Sequence, residues 1–142
     1  MIDTKKIKYE NYNNVERLDI NPLAYIDLKA GDIIDMDFGS TPYSPLCGEQ
    51  VGNRPVLVLV NVKGVSKQQL IPVVKLTSKP KKRCSWHIKT QVEGMRESYI
   101  LIEQFGSFSR DRITSKVRGH VSEDVLQQVL ASIAKYMGIE VR

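Results

Sequence analysis

One valine-rich run limits the fold of this chain more than any other feature of its sequence. Pro55-Val-Leu-Val-Leu-Val-Asn-Val62 is almost continuously apolar. A short apolar run of this kind is typical of a β-strand that is buried on both faces. The run therefore predicts a β-rich domain in which this strand is the most buried element.

Shorter segments before and after this run predict further strands. They are Asp32–Phe38, Gln69–Leu76, Ser85–Lys89, Tyr99–Gln104 and, after a break at Gly106, Phe105–Ile113. Pro72 predicts a sheet edge or a bulge in the second of them, because proline donates no hydrogen bond to a neighbouring strand. Many short strands at regular spacing predict a small antiparallel barrel or sandwich.

A helix near the C-terminus is the clearest single element of the sequence. Ser122 and the two acidic residues after it predict the helix start, because serine is a favoured N-cap and acids suit the positive end of the helix dipole. Gly138 predicts the end of the helix. The apolar residues between them recur at helical spacing: Val125, Leu126, Val129, Leu130, Ile133, Ala134 and Met137. We expect this stripe to pack on the sheet as core, which gives a mainly β fold with one packed helix.

Length and composition suit one globular domain. The chain has 142 residues, of which 42% are hydrophobic and 26% charged, too polar for a membrane protein and too apolar for a disordered one. Residues 1–29 are polar and irregular, so we expect an N-terminal extension that packs on the domain only near Leu23–Leu28. Residues 30–142 are predicted to form the domain itself.

The sequence also predicts the compartment and the absence of some cofactors. No run approaches the roughly 18 apolar residues that a membrane span needs, and the first residues lack a signal-peptide pattern. We therefore expect a cytoplasmic protein with no membrane partner. Cys47 and Cys84 make neither a disulfide framework nor a zinc set, and two histidines are too few for most histidine-based metal sites. We expect no metal and no cofactor.

The net charge of +5 is unevenly distributed along the chain. Residues 1–49 carry 5 basic and 9 acidic side chains, residues 50–92 carry 9 basic and none acidic, and residues 93–142 carry 7 of each. An acid-free segment of 43 residues suggests a surface that faces a polyanion such as a nucleic acid. The alternative is that these basic side chains only solvate loops.

Polar residues at predicted strand ends form a candidate site. Arg54 lies where the Gly- and Pro-rich loop 39–53 meets the most buried strand, which suits a guanidinium that grips a phosphate. The alternative is a structural arginine that binds loop carbonyls. Thr77 and Ser78 end the third strand just before Lys79, where their hydroxyls either donate to phosphate oxygens or cap the turn.

Two further polar residues follow an apolar run in the fifth strand. Glu103 and Gln104 stand where polar side chains are least expected, so one should point outward and the other needs a partner. His87 lies within a predicted strand and His120 just before the helix. We interpret both histidines as surface or packing residues rather than acid–base catalysts.

Three acids, Asp32, Asp35 and Asp37, lie close together on the first predicted strand. We interpret them as a solvated strand face, although a metal site is the alternative. The strand ends together predict one polar, positively biased site on a barrel rim. If the substrate is RNA, no metal is required there, because the neighbouring 2′-hydroxyl can act as the nucleophile while preorganised donors stabilise the phosphate.

Several segments follow one another in a familiar order and spacing. They are Gly31-Asp-Ile-Ile34, Glu49-Gln-Val-Gly-Asn-Arg-Pro-Val-Leu-Val-Leu59, Ile71–Ser78, Ser98–Gln104 and Arg110–Thr114. In that order they resemble the MazF/PemK toxins of bacterial type II toxin–antitoxin modules. The resemblance covers residues 30–138 and leaves the N-terminal extension outside it.

The resemblance implies an SH3-like antiparallel barrel of the PemK/CcdB type with a packed helix, commonly as a homodimer. It implies an endoribonuclease that cuts single-stranded RNA at short sequences without metal, leaving a 2′,3′-cyclic phosphate and a 5′-hydroxyl. It also implies a cognate antitoxin that occupies the RNA groove. The family's catalytic arginine and threonine match Arg54 and Thr77. The residues expected to line the substrate groove are Glu49, Gln50, Asn53, Ser78, Lys79, Glu103 and Gln104.

Two other functions fit the same fold. A CcdB-like toxin would poison DNA gyrase without cutting anything, and a catalytically silent barrel would only bind RNA. The acid-free segment argues against the gyrase poison, because that function needs a protein-binding surface rather than a polyanion track.

Overall fold

The structure, a computed structural model, describes residues 21–39, 51–79 and 86–140. Its strands are β1 (Asp32–Asp37), β2 (Asn53–Val58), β3 (Leu70–Thr77), β4 (His87–Thr90), β5 (Ser98–Ser109) and β6 (Gly119–His120). Helix α1 spans Glu123–Tyr136, and short 3₁₀ turns span Pro22–Tyr25 and Arg110–Arg112. The predicted site residues Glu49 and Gln50, both cysteines and the basic run 81–83 lie outside the described residues.

The six strands form one antiparallel sheet in the order β4-β5-β3-β2-β1-β6. The sheet curls into a half-barrel, so that the ring centroids of Phe38, just after β1, and Phe108 in β5 lie 4.8 Å apart. Helix α1 packs on the outside of this curl. The small antiparallel barrel with a packed C-terminal helix is therefore confirmed.

Strand β2 separates two apolar clusters, because successive side chains of a strand point to opposite faces. The helix-side cluster includes Ile33, Leu57, Val74, Leu76, Ile100, Ile102, Leu126 and Val129. The inner cluster, inside the curl, includes Leu28, Ile34, Met36, Val56, Val58, Ile71 and Val73. Val56, Leu57 and Val58 are all fully buried, which confirms that this strand is covered on both faces.

Two predictions about the strands are wrong. Phe105–Ile113 is not a separate strand, because β5 continues through Gly106, which pairs with Val73 of β3. Pro72 marks neither a sheet edge nor a bulge, since β3 lies between β2 and β5 and the register shift of the β3–β5 pair falls between Val74 and Leu76. The carbonyl of Pro72 accepts a hydrogen bond from the N–H of Leu59 at 3.0 Å, and Leu59 lies one residue beyond the end of β2. Proline has no N–H to donate back to that strand, and here the regular pairing of β2 with β3 has already ended.

The helix begins and ends as its sequence predicts. The Ser122 hydroxyl accepts a hydrogen bond from the N–H of Val125, and Gly138 adopts a φ of +78° just after the last turn. The apolar stripe is only partly core. Its buried members are Leu126, Val129 and Ile133. Leu130 and Met137 are 36% and 56% exposed, because the stripe is wider than the sheet surface beneath it.

The segment before β1 packs on the domain, as expected near Leu23–Leu28. Leu28 is buried and forms a β-bridge with Val62, while the Asn21 side chain donates a hydrogen bond to the carbonyl of Ile113 at 2.9 Å. The division at residue 29 stays a prediction. Within the described ranges, no helix has the length and apolar character needed to cross a membrane.

Candidate active site

Arg54 and Thr77 lie on neighbouring strands, each two residues beyond the recorded β2–β3 pair Val56–Lys75. The pairing of β2 with β3 joins Val56 to Lys75 and Leu57 to Val74, and this register continued by two residues sets Arg54 against Thr77. Directly opposed residues of an antiparallel pair project to the same face, with Cβ atoms roughly 4.5–5.5 Å apart. The two predicted catalytic residues are therefore brought together, on the inner face of the sheet at its open end.

Arg54 forms one side-chain hydrogen bond within the described part of the chain. Its Nε donates a hydrogen bond to the carbonyl of Val51 at 2.8 Å, and the residue is half-buried. Among the described residues, its two terminal nitrogens have no hydrogen-bond partner. The bond to Val51 confirms that Arg54 binds a loop carbonyl, whereas its contact with a phosphate stays a prediction.

The Thr77 hydroxyl can act both as a hydrogen-bond acceptor and as a donor. Thr77 is 7% exposed, and its Oγ1 accepts a hydrogen bond from the backbone N–H of Lys79 at 3.2 Å. This bond caps the turn after β3, as one interpretation predicted. Because a hydroxyl can accept and donate at once, the proton of Oγ1 is left to donate to a ligand oxygen.

Lys75 is a site residue that the sequence analysis missed. It is 7% exposed, and its Nζ lies 4.2 Å from the ring centroid of Phe38 and 5.3 Å from that of Phe108. The two rings stabilise the ammonium by cation–π contacts in the barrel interior. The signal was available, because Lys75 shares the face of Thr77 by strand alternation. A buried cation thus lies next to the Arg54–Thr77 pair.

Glu103 and Gln104 lie in a bulge of β5, not at a strand end. Between the pairs Leu76–Ile100 and Val74–Phe105, β3 contributes only Lys75, whereas β5 contributes the four residues 101–104. Bulges of this kind re-aim side chains and are frequent beside active sites. The bulge turns Glu103 away from the helix side, on which Ile102 and Phe105 pack.

His87 of β4 binds the carboxylate of Glu103. The His87 Nε2 lies 2.8 Å from Glu103 Oε1, and the side chains are 13% and 29% exposed. The other carboxylate oxygen, Oε2, is buried and accepts no hydrogen bond from the described residues. The interpretation of His87 as a mere packing residue therefore missed its partner, which only the pairing of β4 with β5 reveals.

The remaining predicted groove residues are not all brought to this face. Asn53 stands beside Arg54 in the chain but projects to the opposite face, where its Oδ1 accepts a hydrogen bond from the Thr114 hydroxyl at 2.6 Å. Ser78 and Lys79 are exposed just beyond the end of β3, adjacent to Thr77. Lys79 therefore remains a cation near the Arg54–Thr77 pair.

The three acids of β1 have separate partners. Asp32 binds the Nδ1 of His120, and Asp35 binds the guanidinium of Arg118, at 2.8 and 2.9 Å. Asp37 accepts a hydrogen bond from the N–H of Gly39. These separate partners argue against a shared metal site. The interpretation of a solvated strand face fits the exposed Asp37 and the half-buried Asp35, but it is wrong for Asp32, which is 7% exposed.

The basic segment 50–92 does not form one continuous surface within the described residues. Arg54 and Lys79 lie at the open end of β2 and β3. Lys63 and Lys67 lie in the loop at the opposite end of the same strands, while Lys75 is buried. Only part of the predicted positive charge can therefore act at the Arg54–Thr77 pair.

The comparisons with known proteins agree with this fold. Residues 29–137 match the model of the PemK-like, MazF-like toxins of type II toxin–antitoxin systems. The chain belongs to the PemK/MazF toxin family. The match spans all six strands and the whole of α1, and it ends at the C-cap Met137. No curated protein sequence matches the chain.

Solved structures of this family share the fold at low sequence identity. MazF from Deinococcus radiodurans has a TM-score of 0.64 and 22% identity, with 80% of this chain and 98% of that one covered. MazF in the MazE–MazF complex of the same organism has a TM-score of 0.62 and 18% identity, covering 80% and 98%. A mycobacterial endoribonuclease in complex with its cognate antitoxin has a TM-score of 0.61 and 15% identity, covering 81% and 99%.

Proposed function

We propose that this family member is a metal-independent endoribonuclease toxin that cleaves single-stranded RNA. The proposal is supported most directly by the β2–β3 register, which when extended by two residues sets Arg54 against Thr77, and by the terminal guanidinium nitrogens, which have no partner among the described residues. In this pair, the fork of donors and the hydroxyl face the same side of two neighbouring strands. A phosphate between two strands is within reach of both side chains.

In the proposed reaction, the ribose 2′-hydroxyl releases its proton to solvent, its oxygen attacks the adjacent phosphorus, and the bond from phosphorus to the 5′-oxygen breaks. The products are a 2′,3′-cyclic phosphate and, after the leaving oxygen takes up a proton, a 5′-hydroxyl. Negative charge grows on the non-bridging oxygens as the phosphorus becomes five-coordinate. Arg54 and Thr77 donate hydrogen bonds to that charge, and the Lys75 ammonium adds a positive field from the barrel interior.

We further propose that the chain acts in the cytoplasm as a homodimer and is neutralised by a cognate antitoxin. Apolar side chains at the end of α1 support an interface with protein: Leu130, Tyr136, Met137 and Ile139 are between 36% and 56% exposed. A mycobacterial relative of the same fold is described with its cognate antitoxin. Light scattering of the purified chain tests the dimer directly.

Incubation with a defined single-stranded RNA in excess EDTA tests the nuclease proposal. We expect cleavage, with 2′,3′-cyclic phosphate ends identified by mass spectrometry of the fragments. Retention of intact RNA on the protein would favour the silent RNA-binding barrel. Intact and unbound RNA, together with inhibition of DNA gyrase, would favour the CcdB-like alternative.

A further inference from the structure

We propose that Tyr99 and Lys89 continue the candidate active site as an RNA-binding row. In this row, Tyr99 stacks on the base of one of the two nucleotides that flank the cut, and Lys89 contacts the neighbouring phosphate. The inference rests on the proposed RNA cleavage and goes beyond it, because it names side chains that hold the substrate beside the cut and take no part in the chemical step.

The first argument is the register of three strands. Tyr99 of β5 pairs directly with Thr77 of β3 on one side and with Lys89 of β4 on the other. Directly opposed residues project to the same face, with Cβ atoms roughly 4.5–5.5 Å apart. The three side chains therefore follow one another across the inner face of the sheet, and the extended register of β2 and β3 adds Arg54 beyond Thr77. Since neighbouring strands are about 4.8 Å apart, the backbone of Lys89 lies about 10 Å from that of Thr77.

The second argument is the environment of the Tyr99 side chain. Tyr99 is half-buried, and within the described ranges its hydroxyl has no hydrogen-bond partner and its ring contacts no other ring and no cation. The other tyrosines of those ranges differ in this respect. Tyr136 packs edge-on against the ring of Trp86, and the ring of Tyr25 lies 5.9 Å from the guanidinium carbon of Arg110. A half-buried ring beside a phosphate-binding pair offers a surface on which a base can stack, and such stacking is a common way in which proteins hold single-stranded RNA.

The third argument is the charge at the end of the row. Lys89 belongs to the acid-free segment 50–92, and its side chain is 61% exposed, whereas Lys75 on the same face is buried. The Lys89 ammonium lies 3.3 Å from the carboxylate of Glu97, which is itself half exposed. An exposed ion pair of this kind contributes little free energy, so a phosphate can replace Glu97 as the partner of the ammonium. An aromatic ring between two cationic groups matches the alternation of base and phosphate along a single strand.

The experiment measures binding to an RNA that the protein cannot cut. Sequencing of the ends cut from a random RNA pool first gives the cleaved sequence, and an oligonucleotide of that sequence with a 2′-O-methyl group at the cut lacks the nucleophile. We expect Tyr99→Leu to weaken its binding about tenfold, while Tyr99→Phe, which keeps the ring, stays within about twofold of the wild type. Lys89→Ala should lower the slope of log affinity against log salt concentration by about 0.7, the value for one phosphate contact on a single strand.

Removal of single bases distinguishes stacking from a structural role of Tyr99. Two further oligonucleotides each lack the base on one side of the cut. We expect the loss of affinity caused by Tyr99→Leu to disappear for one of the two, because the base that the ring holds is absent there. A tyrosine that only supports the sheet would weaken the binding of all three oligonucleotides equally.

Tyr25→Leu and Lys67→Ala are the matched controls. Tyr25 is also a partly exposed tyrosine and Lys67 an exposed lysine of the segment 50–92, but both lie at the opposite end of β2 and β3. We expect both variants to keep the wild-type affinity, and thermal melts show that each variant is folded.

Three results would overturn the inference. The folded Tyr99→Leu variant binds all three oligonucleotides as the wild type does, or it weakens the binding of all three equally, or Lys89→Ala changes the salt slope no more than Lys67→Ala. A wild type that cuts no RNA would instead overturn the proposed function, and this inference with it.

Discussion

Replacement of Arg54 by alanine separates catalysis from stability. The structure gives Arg54 one intramolecular hydrogen bond, from Nε to the carbonyl of Val51, and a half-buried position. Loss of one such bond costs about 1 kcal/mol of folding free energy. The terminal nitrogens, in contrast, are placed to donate to the charge that develops on the phosphate, and one lost donor of this kind costs about 10²–10³ in rate.

We therefore expect Arg54→Ala to lower the cleavage rate by about 10³ or more while the domain stays folded. Arg54→Lys should fall between the wild type and the alanine variant, because lysine keeps the charge but loses the fork of donors. The assay is single-turnover cleavage of a labelled RNA oligonucleotide, with urea denaturation of each variant alongside.

Arg112→Ala is the matched control for Arg54. Arg112 also donates one hydrogen bond to a backbone carbonyl, that of Asp37 at 2.9 Å, but it is exposed outside the Arg54–Thr77 pair. We expect this variant to cut at nearly the wild-type rate and to lose a similar, small amount of stability. A folded Arg54→Ala variant that cuts as fast as Arg112→Ala refutes the assignment of Arg54.

Three further variants test single features of the structure. Thr77→Val should slow RNA cleavage about 100-fold in the same single-turnover assay, whereas Thr77→Ser, which keeps the hydroxyl, should restore most of the rate. Gly64→Ala should lower the urea-derived unfolding free energy by about 1–3 kcal/mol, because the new methyl group would overlap the backbone oxygen of Tyr25; an unchanged value contradicts this packing. Ser122→Ala should cost about 1 kcal/mol in the same measurement through loss of the helix N-cap, and Ser122→Asp should retain the stability.

The positions of Arg54 and Thr77 follow from local sequence patterns. Each stands at the end of a strand whose apolar residues are consecutive in the chain, and the open end of a sheet is where such polar residues collect. The burial of β2 was readable for the same reason, since Val56, Leu57 and Val58 stand together in one run. A local sequence pattern is thus sufficient to predict a residue's position where that position depends on neighbours in the same strand.

Contacts between distant residues could not be read in this way. Asn53 adjoins Arg54 in the chain, yet it binds Thr114, 61 residues away, on the other face of the sheet. The end of α1 shows the same limit: helical spacing identifies an apolar stripe but not how much of it the sheet covers, so the exposure of Met137 was not predictable. Both cases depend on which elements become neighbours in the fold.

The bulge in β5 adds to the candidate site a residue that does not lie at a strand end. An apolar run interrupted by two polar residues predicts that a strand stops, because a regular strand would turn one of them into the core. Here the strand continues: the four residues 101–104 lie opposite the single residue Lys75, and Phe105 returns to the helix side. Glu103 is thereby directed to the face that carries Thr77 and Lys75, where His87 binds its carboxylate. Shortening the bulge by one residue would reverse the faces of all residues after it up to Ser109, so the bulge couples the core packing of β5 to the composition of the site.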